Sequence, residues 1–293
     1  SWGARFKLDA GGGVGAYHRR YEAPRDTGLT EPQRAWLRDT LLPRSEDATY
    51  GLAYARFWDT RYEVMRDVDS YALSEDFQVG PYVVALARYA PALLSSASTF
   101  ADLGLTARYR VRLGDALTSV AAAAAVRQWL GGEARGQWTN RRWAAEAQQV
   151  SPKVLGGRFV ARALVDFNRD DLNERVLLLG GGNGLRGASP EAYSGKRLFL
   201  LNVEYRTRPL VLHTVHLGGV LFYDAGSLLD TTPGVVHSVG LGLRLLFPQF
   251  NTFPFRLDFG YVLNDDRPPL SGRFSFSGGQ VTEFRPAFLD SPF

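Results

Sequence analysis

The sequence lacks the features that mark several large classes of protein. It contains no cysteine, which excludes a disulfide framework and a thiolate metal site. It has no run of the roughly 18 apolar residues that a membrane-spanning helix requires, and its longest stretch of small apolar residues covers only 120–126. Because lipid tolerates only helices and closed sheets as spanning structures, any part of this chain that crosses a membrane must consist of strands.

Composition is compatible with such strands. The mean hydropathy is −0.17, and the wall of a membrane barrel keeps a low mean because it alternates apolar and polar residues. Aromatic residues make up 13% of the chain, and there are 31 glycines. The net charge of +4 fits anionic lipid or a basic lumen as well as nucleic acid, but the sequence shows no compact basic patch.

Most segments between turn signals alternate with a period of two, which predicts strands with unlike faces. In 100–112, for example, Leu103 and Leu105 face one way while Arg108 and Arg110 face the other. The alanine-rich segment 117–130 is predicted to be a strand because its neighbours are strands, although its propensity favours a helix. One helix is predicted from the N-cap residue Thr30 to just before Pro43, packed on a loop or serving as a lid.

Long and short connections alternate along the chain, as in outer-membrane barrels. The predicted short turns are 11–13, 113–115, 151–153, 209–212 and 248–252, and the longer connections are 24–47, 168–196, 227–234 and 264–271. Two connections fit less well, since 67–76 is long for its side and 131–136 is short. We therefore predict an all-β fold: a single domain over 1–293, formed by a transmembrane antiparallel β-barrel of about 12–16 strands.

The segments counted in this way number about thirteen, and the sequence begins at Ser1. A single-chain bacterial barrel normally has an even number of strands. Either one of the counted segments is misread or further strands precede this sequence, and we expect one to three such strands.

A glycine-dense segment with one arginine, Gly181-Gly182-Asn183-Gly184-Leu185-Arg186-Gly187, precedes the five last alternating segments. It is followed by Asn202-Val203-Glu204-Tyr205-Arg206, Leu221-Phe222-Tyr223-Asp224-Ala225-Gly226-Ser227, Gly240-Leu241-Gly242-Leu243-Arg244 and Arg256-Leu257-Asp258-Phe259-Gly260-Tyr261. In this order, over about 177–284, the segments resemble the BamA/TamA superfamily of outer-membrane insertases and translocators.

The resemblance implies that the loop 168–196 folds into the lumen of the barrel. Arg186, flanked by Gly184 and Gly187, would anchor this loop. Its partners would be Glu204 and Asp224 on the next two strands, with Phe222 beside Asp224. The sequence departs from the family pattern at Leu185, where valine or isoleucine is usual, and at Ala188, where an aromatic residue is usual.

The last strand resembles the family's assembly signal. Phe274, Phe276 and Gly279 correspond to its body and Phe284 to its terminal aromatic residue, and a tail, 285–293, extends beyond it. The implied function is to assist insertion or translocation of outer-membrane proteins through a lateral seam, in the bacterial outer membrane. The implied partners are outer-membrane lipid, client proteins and periplasmic or accessory subunits, without nucleic acid.

Two other functions remain open: a passive pore or structural barrel, and an anchor or secretion barrel for a domain fused upstream. We predict no enzymatic activity, no cofactor and no metal. The glycine run lacks the Gly-Lys-Ser/Thr ending of a phosphate loop, and His213 and His216 point to opposite faces of a strand. Asp224 and Asp258 are interpreted as lumen charges rather than a catalytic pair, and Arg108, Arg110 and Arg112 as a solvated stripe rather than an anion filter.

Overall fold

A computed structural model describes residues 3–22, 28, 30–40, 42–94, 96, 98–232, 234–250, 253–264 and 272–280. These residues form an all-β fold with one α-helix, α1 (Glu31–Thr40). None of the helices in these ranges is long and apolar enough to cross a membrane. The strands are β1 (Phe6–Arg19), β2 (Glu46–Asp59), β3 (Tyr62–Arg66), β4 (Ser74–Gln78), β5 (Gly80–Ala90), β6 (Phe100–Leu113), β7 (Ala116–Trp129), β8 (Trp138–Val150), β9 (Arg158–Arg169), β10 (Leu177–Leu179), β11 (Tyr193–Gly195), β12 (Arg197–Arg206), β13 (Leu210–Leu212), β14 (Val215–Leu228), β15 (Val236–Leu246), β16 (Phe255–Val262) and β17 (Arg273–Gly278).

One antiparallel sheet dominates the molecule. Its strand order is β1-β2-β5-β6-β7-β8-β9-β12-β14-β15-β16-β17, and the short β13 pairs with β14 outside this order. β10 and β11 form a small separate sheet, as do β3 and β4. The order thus contains twelve strands among the described residues, and the alanine-rich segment is the strand β7, as predicted.

The predicted turn at 11–13 is wrong, because β1 runs straight through these glycines. They pair with β2 in unbroken register, Gly11 opposite Tyr54 and Gly15 opposite Tyr50. A Cβ at either glycine would lie 2.7 Å from the facing tyrosine ring, so the glycines make room for these rings. Two predicted strands are therefore one, and the main order of the sheet has twelve strands within the described residues, with β13 paired to β14 outside it.

The predicted single strands 49–65 and 77–89 are each broken in two. After Asp59 the chain leaves the wall, forms the β3–β4 hairpin, and returns at Gly80, whose φ is +82°. The base of the hairpin is closed by the N–H of Val79, which donates to the carbonyl of Arg61 at 3.0 Å. Asp59, fully buried at this junction, accepts hydrogen bonds from Arg5 and Arg61. The connection 67–76, which is long for its side of the sheet, is thus part of a folded hairpin.

The sheet has a polar inner face and an apolar outer face, as the alternation predicted. On β6 the side chains of Asp102, Arg108 and Arg110 are buried, whereas Leu103 and Leu105 on the other face are each 49% exposed. The sheet curls far round on itself. The amide of Gln280, just beyond β17, donates to the carbonyl of Asp69 in the β3–β4 hairpin, which lies between β2 and β5. The space enclosed by the inner face is called the lumen below.

The predicted helix corresponds to α1, in the connection between β1 and β2. At its N-terminus, the backbone N–H and the hydroxyl of Thr30 both donate to the side-chain oxygen of Gln33, at 2.8 and 2.9 Å. This connection lies at the same end of the sheet as the 170–196 connection. There, the N–H of Arg44 donates to the carbonyl of Leu172. We call this end the loop end and the opposite one the turn end.

Candidate functional site

The 170–196 connection folds against the inner face of β12, β14, β15 and β16. Within this connection, β10 and β11 pair with each other, and a single 3₁₀ turn, Gly181–Asn183, follows β10. Gly180, Gly181, Gly184 and Gly187 all have positive φ, which L side chains rarely adopt. The glycine-dense sequence thus lets the chain double back tightly within the lumen and present one arginine at its tip.

Arg186 is the centre of this site and is only 1% exposed. Its Nε and Nη2 donate to the two carboxylate oxygens of Asp224 at 2.8 and 2.7 Å, and its Nη1 donates to Oε1 of Glu204 at 2.6 Å. Its backbone N–H donates to Asp224 as well, at 3.0 Å. The guanidinium also lies 3.6 Å from the ring centroid of Phe222. The structure thus brings together the arginine and the three residues predicted to hold it.

The charge of Arg186 is firmly maintained. Burial lowers the pKa of its guanidinium, but the negative charges of Glu204 and Asp224 outweigh this effect, so the pKa lies above its ordinary value. A planar guanidinium can bind both oxygens of one carboxylate and still reach a second carboxylate, which an ammonium group does less well. The contact is therefore specific for arginine.

The ion pairs continue toward the turn end. Arg206 Nε donates to the other oxygen of Glu204 at 2.9 Å, and Arg206 Nη1 donates to the carbonyl of Val68 in the β3–β4 hairpin. Arg244 pairs with Asp258 at 2.5 Å and donates to Gln280. Two segments that enter the lumen from opposite ends, the loop and the hairpin, are thus connected through the single buried carboxylate of Glu204.

Glycines on the facing strands create the space that the loop occupies. A Cβ at Gly187 would lie 2.7 Å from the carbonyl carbon of Gly260 on β16, so the two backbones touch. A Cβ at Gly240 would collide with the ring of Phe222, and one at Gly242 with the carboxylate of Asp258. The alternating glycines of β15 thus have a steric function. They let an aromatic ring and an ion pair lie flat against the wall.

The two departures from the family pattern, Leu185 and Ala188, are both buried. Leu185 is 0% exposed and Ala188 is 2% exposed. They belong to an apolar cluster with Leu179, Leu200, Leu228, Val236 and Val262. Surrounding leucines and valines thus fill the volume beside Ala188, and the loop tip packs closely without an aromatic residue there.

The predicted assembly signal lies only partly within the described residues. Phe274 and Phe276 are on the outer face of β17 and are more than 70% exposed. The ring of Phe276 stacks on Phe255 of β16, and the ring of Phe274 packs at a tilt against Phe259. Gly279 follows β17 with φ of +80°, and its N–H donates to the carbonyl of Pro254. Phe284 and the tail 285–293 lie outside the described residues.

Sequence reasoning missed three members of the site. Asn202 donates from Nδ2 to the carbonyl of Gly184 at 2.6 Å and to Asp224 at 2.7 Å. Arg206 holds the second oxygen of Glu204, and Gly260 receives the loop tip. The available signal was the two-residue spacing of Asn202 and Arg206 from Glu204, which places all three on the inner face of β12. No local pattern indicates the contact at Gly260.

The remaining candidate residues are two histidines, considered as metal ligands, and three arginines of β6, considered as an anion filter. His216 is buried, with Nδ1 2.7 Å from the carbonyl of Tyr71, while His213 lies in a turn. The part of the chain that the structure describes contains no group of three or more residues suited to hold a metal. Arg108 and Arg110 are buried against Gln78 of the hairpin, and Arg112 is at the turn end, where it pairs with Glu63.

A curled antiparallel sheet with a polar inner face, against which an arginine-anchored loop is folded, defines a barrel-type protein with an inserted loop. Residues 167–281, which contain the whole site, match the Omp85 superfamily domain. Over this part of the chain, the match confirms the resemblance to outer-membrane insertases and translocases at the level of the superfamily. Comparison with curated proteins gives no match.

Proposed function

We propose that the protein is an outer-membrane barrel that assists insertion or translocation of other outer-membrane proteins, with no catalytic group or cofactor. The anchored loop carries this proposal. Arg186 sits between Glu204 and Asp224, in a domain whose superfamily consists of insertases and translocases. The proposed location is the bacterial outer membrane, and the proposed partners are its lipid, client barrels and accessory subunits.

The two terminal strands of the sheet support a weak seam at β1 and β17. No hydrogen-bonded pairing joins them within the described ranges. β17 has six residues, whereas β6 and β7 pair over fourteen. β1 contains Gly11, Gly12, Gly13 and Gly15, and a glycine-rich strand has a weakly specified register. A client strand could pair with such an edge at low cost.

The loop would act by keeping the wall beside this seam in shape. Its tip contacts β12, β14 and β16 and so braces these C-terminal strands from inside. On β1, by contrast, the connection is met at the last residue of the strand, where Arg19 donates to Asn173 at 3.0 Å. This asymmetry favours opening at β1. Insertion at this seam would not require an energy source, because the exposed backbone groups of the client strand would form hydrogen bonds with the edge of the sheet.

The test is reconstitution of the purified chain into liposomes, followed by addition of an unfolded outer-membrane barrel as client. We expect faster client folding, assayed by heat-modifiability on gels, than in empty liposomes. Arg186→Ala should slow it, while Arg112→Ala, an arginine outside the site, should not. Equal rates with and without the protein would refute the proposal. A large steady conductance without client folding would favour the pore.

A further inference from the structure

Seven outward positions on adjacent strands form one row across the outer face. Successive cross-strand pairs connect them in register from β2 to β12. The row consists of Ala55, Ala85, Leu105, Ala124, Trp143, Phe167 and Arg197. Arg141 and Arg169, also paired in register, lie next to this row toward the loop end. We call these nine residues the Trp143 surface. Its character changes steadily from small apolar side chains, through two aromatic rings, to guanidinium groups.

Three cavities on this outer face meet at Trp143. The largest, about 650 Å³, has an alanine-rich floor that reaches from β2 to β8. A second, about 370 Å³, lies between Leu105, Ala122, Ala145 and Val165. The third, about 440 Å³, is lined by Phe167, Arg169 and Arg197 together with Trp143. Two apolar grooves and one cavity lined by two arginines therefore share Trp143 in their lining.

The basic end carries an excess of positive charge. Asp170 pairs with Arg141 and lies 3.8 Å from Arg169. Asp230 accepts hydrogen bonds from the backbone N–H groups of Lys196 and Arg197. The guanidinium of Arg197 itself has no ion pair within the described ranges. Three arginines thus face two carboxylates, and one guanidinium is available for an external anion.

We propose that the Trp143 surface binds a membrane lipid with an anionic phosphate headgroup. The guanidiniums would hold the phosphate through charge-assisted hydrogen bonds, and the alanine grooves would take the acyl chains. The largest groove spans four inter-strand spacings, roughly 19 Å. Because the strands of such a barrel are tilted by about 35–45°, a groove that crosses them runs obliquely to the membrane normal. Its length is comparable to the depth of one leaflet's hydrocarbon, about 15 Å, so an acyl chain would lie along it at a tilt. Trp143, 47% exposed, would lie at the junction of headgroup and chain.

This inference rests on the outer face being in contact with membrane, and not on insertase activity. Lipid binding is measured without a client. A chain that binds the lipid but does not insert clients would sustain this inference and refute the proposed function. A chain that inserts clients without lipid preference would do the opposite.

The test is native mass spectrometry of the detergent-solubilised full chain, titrated with phosphatidylglycerol or with phosphatidylcholine of identical acyl chains. We expect phosphatidylglycerol to be retained more tightly. Each guanidinium should contribute about fivefold to its affinity, so Arg141→Gln with Arg197→Gln should remove most of the preference. The matched control Arg112→Gln, at the turn end of β6, should leave it unchanged. Inorganic phosphate alone should not compete at comparable concentration.

A second variant tests the acyl-chain grooves. Ala124→Phe with Ala145→Phe should weaken both lipids alike by filling the groove, whereas Ala161→Phe with Ala163→Phe, outward alanines of β9, should weaken neither. Phosphatidylglycerol with brominated acyl chains should quench tryptophan fluorescence, less so in Trp143→Phe. Equal retention of the two lipids by the unaltered chain, or unchanged preference after loss of both arginines, would overturn the proposal.

Discussion

At the scale of residues, the site shows why one arginine can fix a whole loop. Arg186 makes three side-chain hydrogen bonds to two carboxylates on different strands and also stacks on Phe222. Four buried cations and three buried anions surround the loop tip: Arg186, Arg206, Arg244, Arg256, Glu204, Asp224 and Asp258. Removing one member of such a network is costly, because it leaves an uncompensated charge buried in the protein.

Removing Arg186 should therefore destabilise the protein strongly. We expect Arg186→Ala to lower the free energy of unfolding by about 3–5 kcal/mol, because Glu204 and Asp224 would lose a buried partner. Arg186→Lys should be intermediate, since it keeps the charge but not the fork. The measurement is the folded fraction by heat-modifiability along a urea gradient. Arg112→Ala, a partly exposed pair with Glu63, should cost no more than about 1 kcal/mol. Equal effects at both arginines would contradict this.

The sequence indicated which residues would meet at this scale, but not how they fit. The motif order named Arg186, Glu204, Asp224 and Phe222, and the two-residue period placed the last three on the inner face. The steric functions of Gly240, Gly242 and Gly260 could not be foreseen. They depend on side chains and backbone that are 16 to 73 residues away in sequence, from Asp258 for Gly242 to Gly187 for Gly260.

At the scale of elements, the β3–β4 hairpin is a second inward-folded segment. Met65, Val68 and Phe77 pack on Leu117, Val150 and Val160 of the wall. The carboxylate of Glu75 accepts hydrogen bonds from three successive backbone N–H groups, 68–70, and so shapes the turn at the tip. Tyr71, 2% exposed, sits in a space that Gly218 provides, and burial raises the pKa of its hydroxyl to about 12. The hairpin is thus a packed element.

Excising the hairpin should open the turn end of the lumen. Arg61 and Val79 are already hydrogen-bonded at its base, so replacing 62–78 by two glycines should preserve the wall. Excision would remove the contacts of Arg206 with Val68, of Arg158 with Arg66 and of His216 with Tyr71. Water would then fill the space that the hairpin had occupied. We expect a several-fold increase in single-channel conductance in planar bilayers, but none for Tyr62→Ala, an exposed hairpin residue. Unchanged conductance after excision would show that the hairpin does not obstruct the lumen.

The two errors made about elements have a common physical origin. Three consecutive glycines usually indicate a turn, but in β1 they accommodate Tyr50 and Tyr54 of the next strand, a contact visible only after the strands are paired. Likewise, alternation continues from β2 into β3, and a period of two does not reveal that the chain has left the wall. The prediction of α1 succeeded because capping is a local interaction.

At the scale of the whole molecule, alternation along the chain sufficed to predict the class of fold and the polarity of its two faces. It could not determine the strand count, because one misread turn changes the parity. Nor could it show that the loop and the hairpin meet through Glu204, since this requires the sheet to curl until distant strands face each other. The outer face adds a third feature of this scale, the Trp143 surface, which appears only when seven strands are placed in register.

The proposed seam between β1 and β17 is tested most directly by closing it covalently. The chain has no cysteine, so engineered pairs are the only thiols present. One cysteine would replace Leu8, Ala10 or Val14 on β1, and the other Phe274 or Phe276 on β17. The control pair, Tyr109→Cys with Val120→Cys, joins residues already paired in register on β6 and β7.

Client folding in liposomes would then be compared before and after reduction of each crosslink. We expect an oxidised seam pair to abolish assisted folding, reduction to restore it, and the control pair to have no effect in either state. Full assisted folding with the seam completely crosslinked would contradict it.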